Sequence, residues 1–126
     1  IQTNPARTPA SGEGQTKWKL IAQSKDGRHY SDAGSVRRES PIVVVRQMID
    51  YSEGFKGDFR SVIGFYAYNC NQRTMRLVSV KSYKGNMGEG ALFEESAESA
   101  DLESPAAGSV GEANFNFACN ANPVNP

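Results

Sequence analysis

Two apolar runs set close together, Val62 to Tyr68 and Met75 to Tyr83, restrict this chain more than any other feature. Between them lies a short polar corner, Asn69-Cys70-Asn71-Gln72-Arg73-Thr74. Both runs are rich in Val, Ile, Phe and Tyr, side chains that suit a pleated surface. Two such runs joined by a short Asn-containing segment predict a β-hairpin. In the first run Val62, Tyr66 and Tyr68 point one way, and Ile63, Phe65 and Ala67 the other. A strand wet on one side alternates apolar with polar. This one does not, so it is expected at the centre of a sheet with both faces covered.

Cys70 ends that run, and the other cysteine, Cys119, lies near the C-terminus. Their positions predict a disulfide that pins the end of the chain to the middle of the sheet. The alternative is a pair of buried free thiols in a cytosolic protein. A disulfide in turn predicts an oxidising compartment: periplasm, cell surface or medium.

At 126 residues the chain is expected to form one domain, long enough to bury a core without metals or many disulfides. Lys+Arg and Asp+Glu balance at 14 each, so no whole-molecule field draws in nucleic acid or acidic lipid. No apolar run approaches the roughly 20 residues that span a bilayer. The chain opens at Ile1 on a polar segment with no signal peptide, as expected after a processing or trimming site.

Residues 1–16 are rich in Gly, Pro, Ser, Thr and Asn and read as a disordered lead or tether. A strand is expected from Lys17, with Trp18, Leu20 and Ala22 alternating against Lys19, Ile21 and Gln23. Asp26-Gly27 predicts a type I′ turn, and His29 to Arg38 a second, more polar strand at an edge. Glu39-Ser40-Pro41 reads as a turn into a buried strand over Ile42 to Tyr51, followed by a loop over Ser52 to Asp58. After the central hairpin, Met87 to Glu94 is expected as a further strand, and Glu94 to Ala107 as a surface connection. Ser109 and Glu112 form a capping-box pattern that opens a helix. Val110, Ala113 and Phe117 share its apolar stripe, with Phe115 off it. Two prolines keep the tail, 120–126, out of the helix. The sum is an α+β domain over 17–119: about six strands in an antiparallel meander, with one C-terminal helix packed on one face. The other face is open to water or meets a second chain.

Chemistry is sparse. The single histidine, His29, follows a turn and is expected at the surface. No Ser-His-Asp or Cys-His spacing supports nucleophilic work, and the cysteines are too far apart for a Cys-x-x-Cys redox pair. Gly85-Asn86-Met87-Gly88-Glu89-Gly90 lacks the lysine and helix of a phosphate loop and reads as a bend. Glu94, Glu95, Glu98, Asp101 and Glu103 lack the spacing of a calcium loop. No catalytic set, metal site or cofactor is expected. The candidate binding residues are Arg73, Arg76, Lys81, Tyr83 and Lys84. Counted along a regular strand, Arg76 and Lys84 share one face, and Lys81 and Arg73 the other. Basic groups interleaved with Tyr83 and Tyr68 suit an acidic or sulfated partner, against the plainer reading of a solvated sheet face.

The order of these signals can be set against known families. Trp18 opens a strand, Tyr30-Ser31-Asp32 follows the first hairpin, and Val43-Val44-Val45 lies in the next long run. Arg60-Ser61, the stretch Tyr68-Asn69-Cys70-Asn71-Gln72-Arg73-Thr74-Met75-Arg76, and Tyr83 before Met87-Gly88-Glu89-Gly90 continue the series. Gly108-Ser109 and then Cys119 complete it. The ordered set, covering Lys17 to Cys119, resembles the surface-adhesin protein E family of Gram-negative bacteria. One departure stands out. Family members tend to carry a tryptophan shortly before a Pro-Gly-Ser segment, whereas Leu102-Glu103-Ser104-Pro105-Ala106-Ala107-Gly108-Ser109 has no aromatic residue and is longer. Packing is expected to differ there.

The resemblance implies a six-stranded antiparallel sheet with a C-terminal helix tied on by a disulfide, here Cys70–Cys119, in an exported protein. The family's named member is an outer-membrane lipoprotein that binds host proteins such as vitronectin, laminin and plasminogen, and it can dimerise. The expected function is accordingly a non-enzymatic, exported binding module at the periplasm or outer-membrane surface, lipid-anchored in its unprocessed form. Its expected partner is a host matrix or serum protein, or a second copy of the chain. The alternatives are an envelope assembly factor that contacts bacterial proteins, and a binder of a small ligand such as haem through tyrosine and His29.

Overall fold

The β-branched run Ile42-Val43-Val44-Val45 opens the longest strand, where stiff branched side chains pack well on a pleated surface. In the computed structural model, which describes residues 16–55, 58–96 and 102–120 and gives only the backbone of 52–55, seven strands form one sheet. They are β1 (Trp18–Gln23), β2 (Gly27–Asp32), β3 (Arg37–Glu39), β4 (Ile42–Phe55), β5 (Phe59–Asn69), β6 (Thr74–Tyr83) and β7 (Leu92–Ser96), followed by helix α1 (Val110–Asn120). The order is β1-β2-β4-β5-β6-β7, every pair antiparallel, with β3 also on β4. The antiparallel meander with one C-terminal helix is therefore the observed architecture. Apart from Thr16 and Asn120, the expected lead 1–16 and tail 120–126 lie outside the described residues.

The second strand differs from its expectation. It is interior, between β1 and β4. The run expected as one strand from His29 to Arg38 is divided by a 3-10 turn at Ala33–Ser35, and its halves pair with different parts of β4. Asp32 causes the break. Its Oδ1 accepts the Gly34 N–H at 2.9 Å and the Lys17 N–H at 2.7 Å. Short side chains that bond to nearby backbone in this way compete with a ladder. Ser35 Oγ donates to the Asp32 carbonyl and accepts the Arg46 N–H, both at 2.9 Å, so the turn's polar groups are satisfied where they are buried.

Other boundaries move as well. The first hairpin turns on Lys25-Asp26, closed by paired bonds between Ser24 and Gly27 at 2.9 and 3.3 Å. Neither Asp26 nor Gly27 has a positive φ, so no type I′ turn forms. Gly27 answers a packing need instead: a Cβ there would sit 2.2 Å from the Asp50 carbonyl. β4 runs through to Phe55, into the expected loop, because it still finds Phe59 across the turn. The expected strand over Met87 to Glu94 starts as a 3-10 turn, Asn86–Gly88, and β7 begins only at Leu92. Met87, Gly88 and Gly90 have φ of 56°, 74° and 83°, which ends any ladder there. β7 thus takes the start of the expected connection, and further on Glu103 pairs with Met75 through two 2.8 Å backbone bonds.

Register defines two faces. Val43, Val45, Gln47 and Ile49 of β4 stand beside Tyr68, Tyr66, Gly64 and Val62 of β5 on one. Val44, Arg46 and Met48 stand beside Ala67, Phe65 and Ile63 on the other. α1 packs on the first. Its buried residues are Phe115 and Ala118, in a core with Val36, Val43, Val45, Tyr68 and Met75. The expected stripe of Val110, Ala113 and Phe117 is therefore not the core stripe, although Phe117 packs against its margin. The Cys70–Cys119 disulfide is present and binds the end of α1 to the β5–β6 turn. The cap works as expected with a one-residue offset: Ser109 Oγ accepts the Glu112 N–H at 3.1 Å, and Glu112 Oε1 accepts the Gly108 N–H at 2.9 Å. The glycine loop covers part of the second face, where Ser61 Oγ donates to the Gly85 carbonyl and accepts the Gly88 N–H, at 2.6 and 2.8 Å. β5 is central, as its two apolar sides require.

A buried polar chain locks helix to sheet. Tyr68 donates its hydroxyl to Gln47 Oε1, Gln47 Nε2 donates to Ser31 Oγ at 2.8 Å, and Ser31 Oγ donates to Asn114 Oδ1 at 3.5 Å. Burial pushes the Tyr68 hydroxyl well above the ordinary tyrosine range. The native state therefore keeps a proton that the unfolded chain loses above about pH 10. Stability from this group is complete below that pH and declines above it, by up to about 1.4 kcal/mol per pH unit. Tyr68→Phe removes this tyrosine's share of the alkaline slope. Urea unfolding of both proteins between pH 9 and pH 11, which takes in about one pH unit of that slope, checks it; parallel curves reject it.

Candidate functional site

The five candidate binding residues do not converge. Arg73 closes the β5–β6 turn at φ 54° and faces α1: its guanidinium lies 4.7 Å from the centre of the Phe115 ring and 3.3 Å from Glu112. Its role is to hold the helix. Arg76 and Lys84 are an even number of residues apart yet lie on opposite faces. Phe65 pairs with Ser79 and Tyr66 with Leu77, so Val78 bulges and reverses the parity of β6. Arg76, beside Ala67, is on the helix-free face with Lys81 and Tyr83. Lys84 instead lies 5.7 Å over the Phe93 ring. Tyr68 is wholly buried and presents nothing to a partner.

The helix-free face holds a different set. Arg46, Ile63, Phe65, Lys81, Tyr83 and Glu95 line a shallow trough of about 130 Å³. Arg46 was not a sequence candidate, because it sits inside an apolar run. It reaches Asp32 at 3.2 Å and stacks 4.9 Å over Trp18, so a fixed cation lies in the middle of the face. Lys81 meets Glu95 only at 4.0 Å, and both are about half exposed, so this pair adds little stability. β7 continues the face to an edge where Leu92, beside Tyr83, is 48% exposed.

A second concavity lies beside α1. It has a volume of about 190 Å³, and His29 and Tyr66 both border it. His29 is half-buried on β2 and is not the surface histidine expected. Burial lowers its pKa and Asp26 partly offsets that, while burial raises that of Tyr66, with Glu103 and Tyr51 adding to the effect. The groove is smaller than the roughly 300–1,000 Å³ of ordinary ligand pockets.

Neither cysteine is free to act as a nucleophile. Among the described residues no group of three His, Cys, Asp or Glu side chains gathers to hold a metal; Glu98 and Asp101 of the acidic run lie outside them.

The same fold is seen in Haemophilus influenzae protein E. One crystal form matches with a TM-score of 0.65 at 17% identity, over 94% of this chain and 95% of that chain. Another gives 0.63 at 16%, over 94% and 92%. Protein E from a non-typeable strain gives 0.53 at 16%, over 97% and 89%. At these identities the likeness carries the fold. No curated protein matches the chain in sequence. The family model for surface-adhesin protein E matches residues 18–120, the whole span from β1 to the end of α1, and the chain therefore belongs to the surface-adhesin protein E family.

Proposed function

We propose that the chain is a non-enzymatic, exported binding module of the bacterial envelope that holds a host matrix or serum protein on its helix-free face. The observation that carries this reading is the set of Trp18, Arg46, Arg76, Lys81 and Tyr83 on the one sheet face that α1 leaves open. Aromatic and Arg side chains dominate the energetics of protein interfaces, and a rigid sheet presents them without a large ordering cost. Family membership supports the adhesin role and a cell-surface location. No helix among the described residues is long and apolar enough to cross a membrane.

The test is binding to laminin- and vitronectin-coated surfaces. Arg76→Glu with Lys81→Glu is expected to weaken binding at least about tenfold, which corresponds to about 1.4 kcal/mol. Lys84→Glu, on the opposite face, is expected to change it less than about twofold. Equal effects from the two variants would remove the helix-free face from the reading. Capture from envelope extract and not from serum would favour a bacterial partner, and a concentration-dependent mass with no ligand would point to a second copy on this face.

A further inference from the structure

α1 covers only part of its face of the sheet. Beyond its buried side, Ile49, Val62, Gly64 and Val80 form the floor of the groove, and Val110 and Gly111 form its wall. We propose that this groove binds a small, uncharged aromatic molecule of about one ring, at a site separate from the helix-free face.

Three observations carry the assignment. The first is charge. No Asp, Glu, Lys or Arg is among the described residues that line the groove. The polar residues that line it, Gln47, Asn114, Tyr66 and His29, carry amide, hydroxyl and imidazole groups and stand around an aliphatic floor. An ion entering here would lose hydration and find no opposite charge. An apolar ring with one hydroxyl or N–H loses little and finds acceptors.

The second is size. A cavity of about 150 Å³ accepts benzene, so about 190 Å³ suits a single substituted ring. The third is Gly111. It is the second residue of α1, and glycine is a poorer helix former than alanine. Its φ is not positive, and an added Cβ would meet nothing nearer than Ser109 Oγ at 3.5 Å and Met75 Sδ at 3.9 Å. Neither backbone conformation nor close packing requires the glycine. A longer side chain on that wall would reach into the groove, so the missing side chain keeps the space open. Gln47 and Asn114 also belong to the polar chain from Tyr68, so the groove's polar end is rigid.

The experiment is an amide NMR titration of the intact, disulfide-bonded chain with benzyl alcohol, benzoate and benzylammonium. Benzyl alcohol is expected to give saturable shifts centred on Gly64, Val80 and Gly111, and both ions to bind at least tenfold more weakly. Gly111→Leu should fill the groove and reduce benzyl alcohol affinity at least tenfold, with the remaining spectrum unchanged. If that variant does not fold, Val80→Phe closes the groove from the sheet side and decides the matter. Arg76→Glu with Lys81→Glu should leave the titration unaltered, which separates this site from the protein-binding face. No saturable shifts at these amides, ions bound as well as the alcohol, or undiminished binding in a folded groove-filling variant would each overturn the proposal.

Discussion

Replacing Cys70 and Cys119 together with serine is expected to lower the unfolding free energy by about 4 kcal/mol, the chain-entropy value for a link of this span. The two residues are 49 apart in sequence, so the bond closes much of the domain into a loop. Among the described residues that end of α1 is otherwise held by the buried Ala118 and by Arg38, which reaches the Cys119 carbonyl at 3.4 Å; the exposed Arg73–Glu112 pair sits at the helix start and contributes at most about 1 kcal/mol. Urea unfolding of both proteins without reductant measures the loss. A difference under about 1 kcal/mol would mean that packing alone holds the helix, because the covalent constraint would then be nearly without effect.

Phe115→Ala is expected to cost about 3–5 kcal/mol, the range for removing a buried aromatic side chain. Phe115 is 3% exposed, meets the Tyr68 ring edge-on at 6.0 Å and lies under the Arg73 guanidinium. Its removal leaves a cavity between helix and sheet and also strips Arg73 of its stacking partner. Phe117→Ala should cost less than half as much, since Phe117 only borders the core. The same urea series compares them. If the two substitutions cost equally, the helix is rotated toward the stripe of Val110, Ala113 and Phe117, and the arrangement described here is incorrect.

That comparison marks where the sequence becomes ambiguous. The spacing of Val110, Ala113 and Phe117 and that of Gly111, Phe115 and Ala118 are both helical. Amphipathic periodicity identifies a helix without choosing between two such stripes. The disulfide at Cys119 and the approach of Arg73 to Phe115 choose, and both come from the distant β5–β6 turn. The candidate site shows the same division. Arg76, Lys81 and Tyr83 were legible as strand residues, but their faces were not, because one extra residue at Val78 reverses the alternation. Arg46 was not legible at all, since its neighbours are apolar and its partners, Asp32 and Trp18, come from other strands.

By itself the sequence determined what local preference and alternation can specify: the central hairpin, the β-branched strand that follows Pro41, the capped helix and the two cysteines that join its end to the sheet. Tertiary structure alone decided the rest: where the 3-10 turn divides β2 from β3, which stripe of α1 is buried, and which side chains share a face. Those outcomes depend on one backbone meeting another. A bulge, a buried carboxylate such as Asp32, or a helix anchored at one end changes the geometry by a single residue, and in a strand a single residue exchanges the two faces.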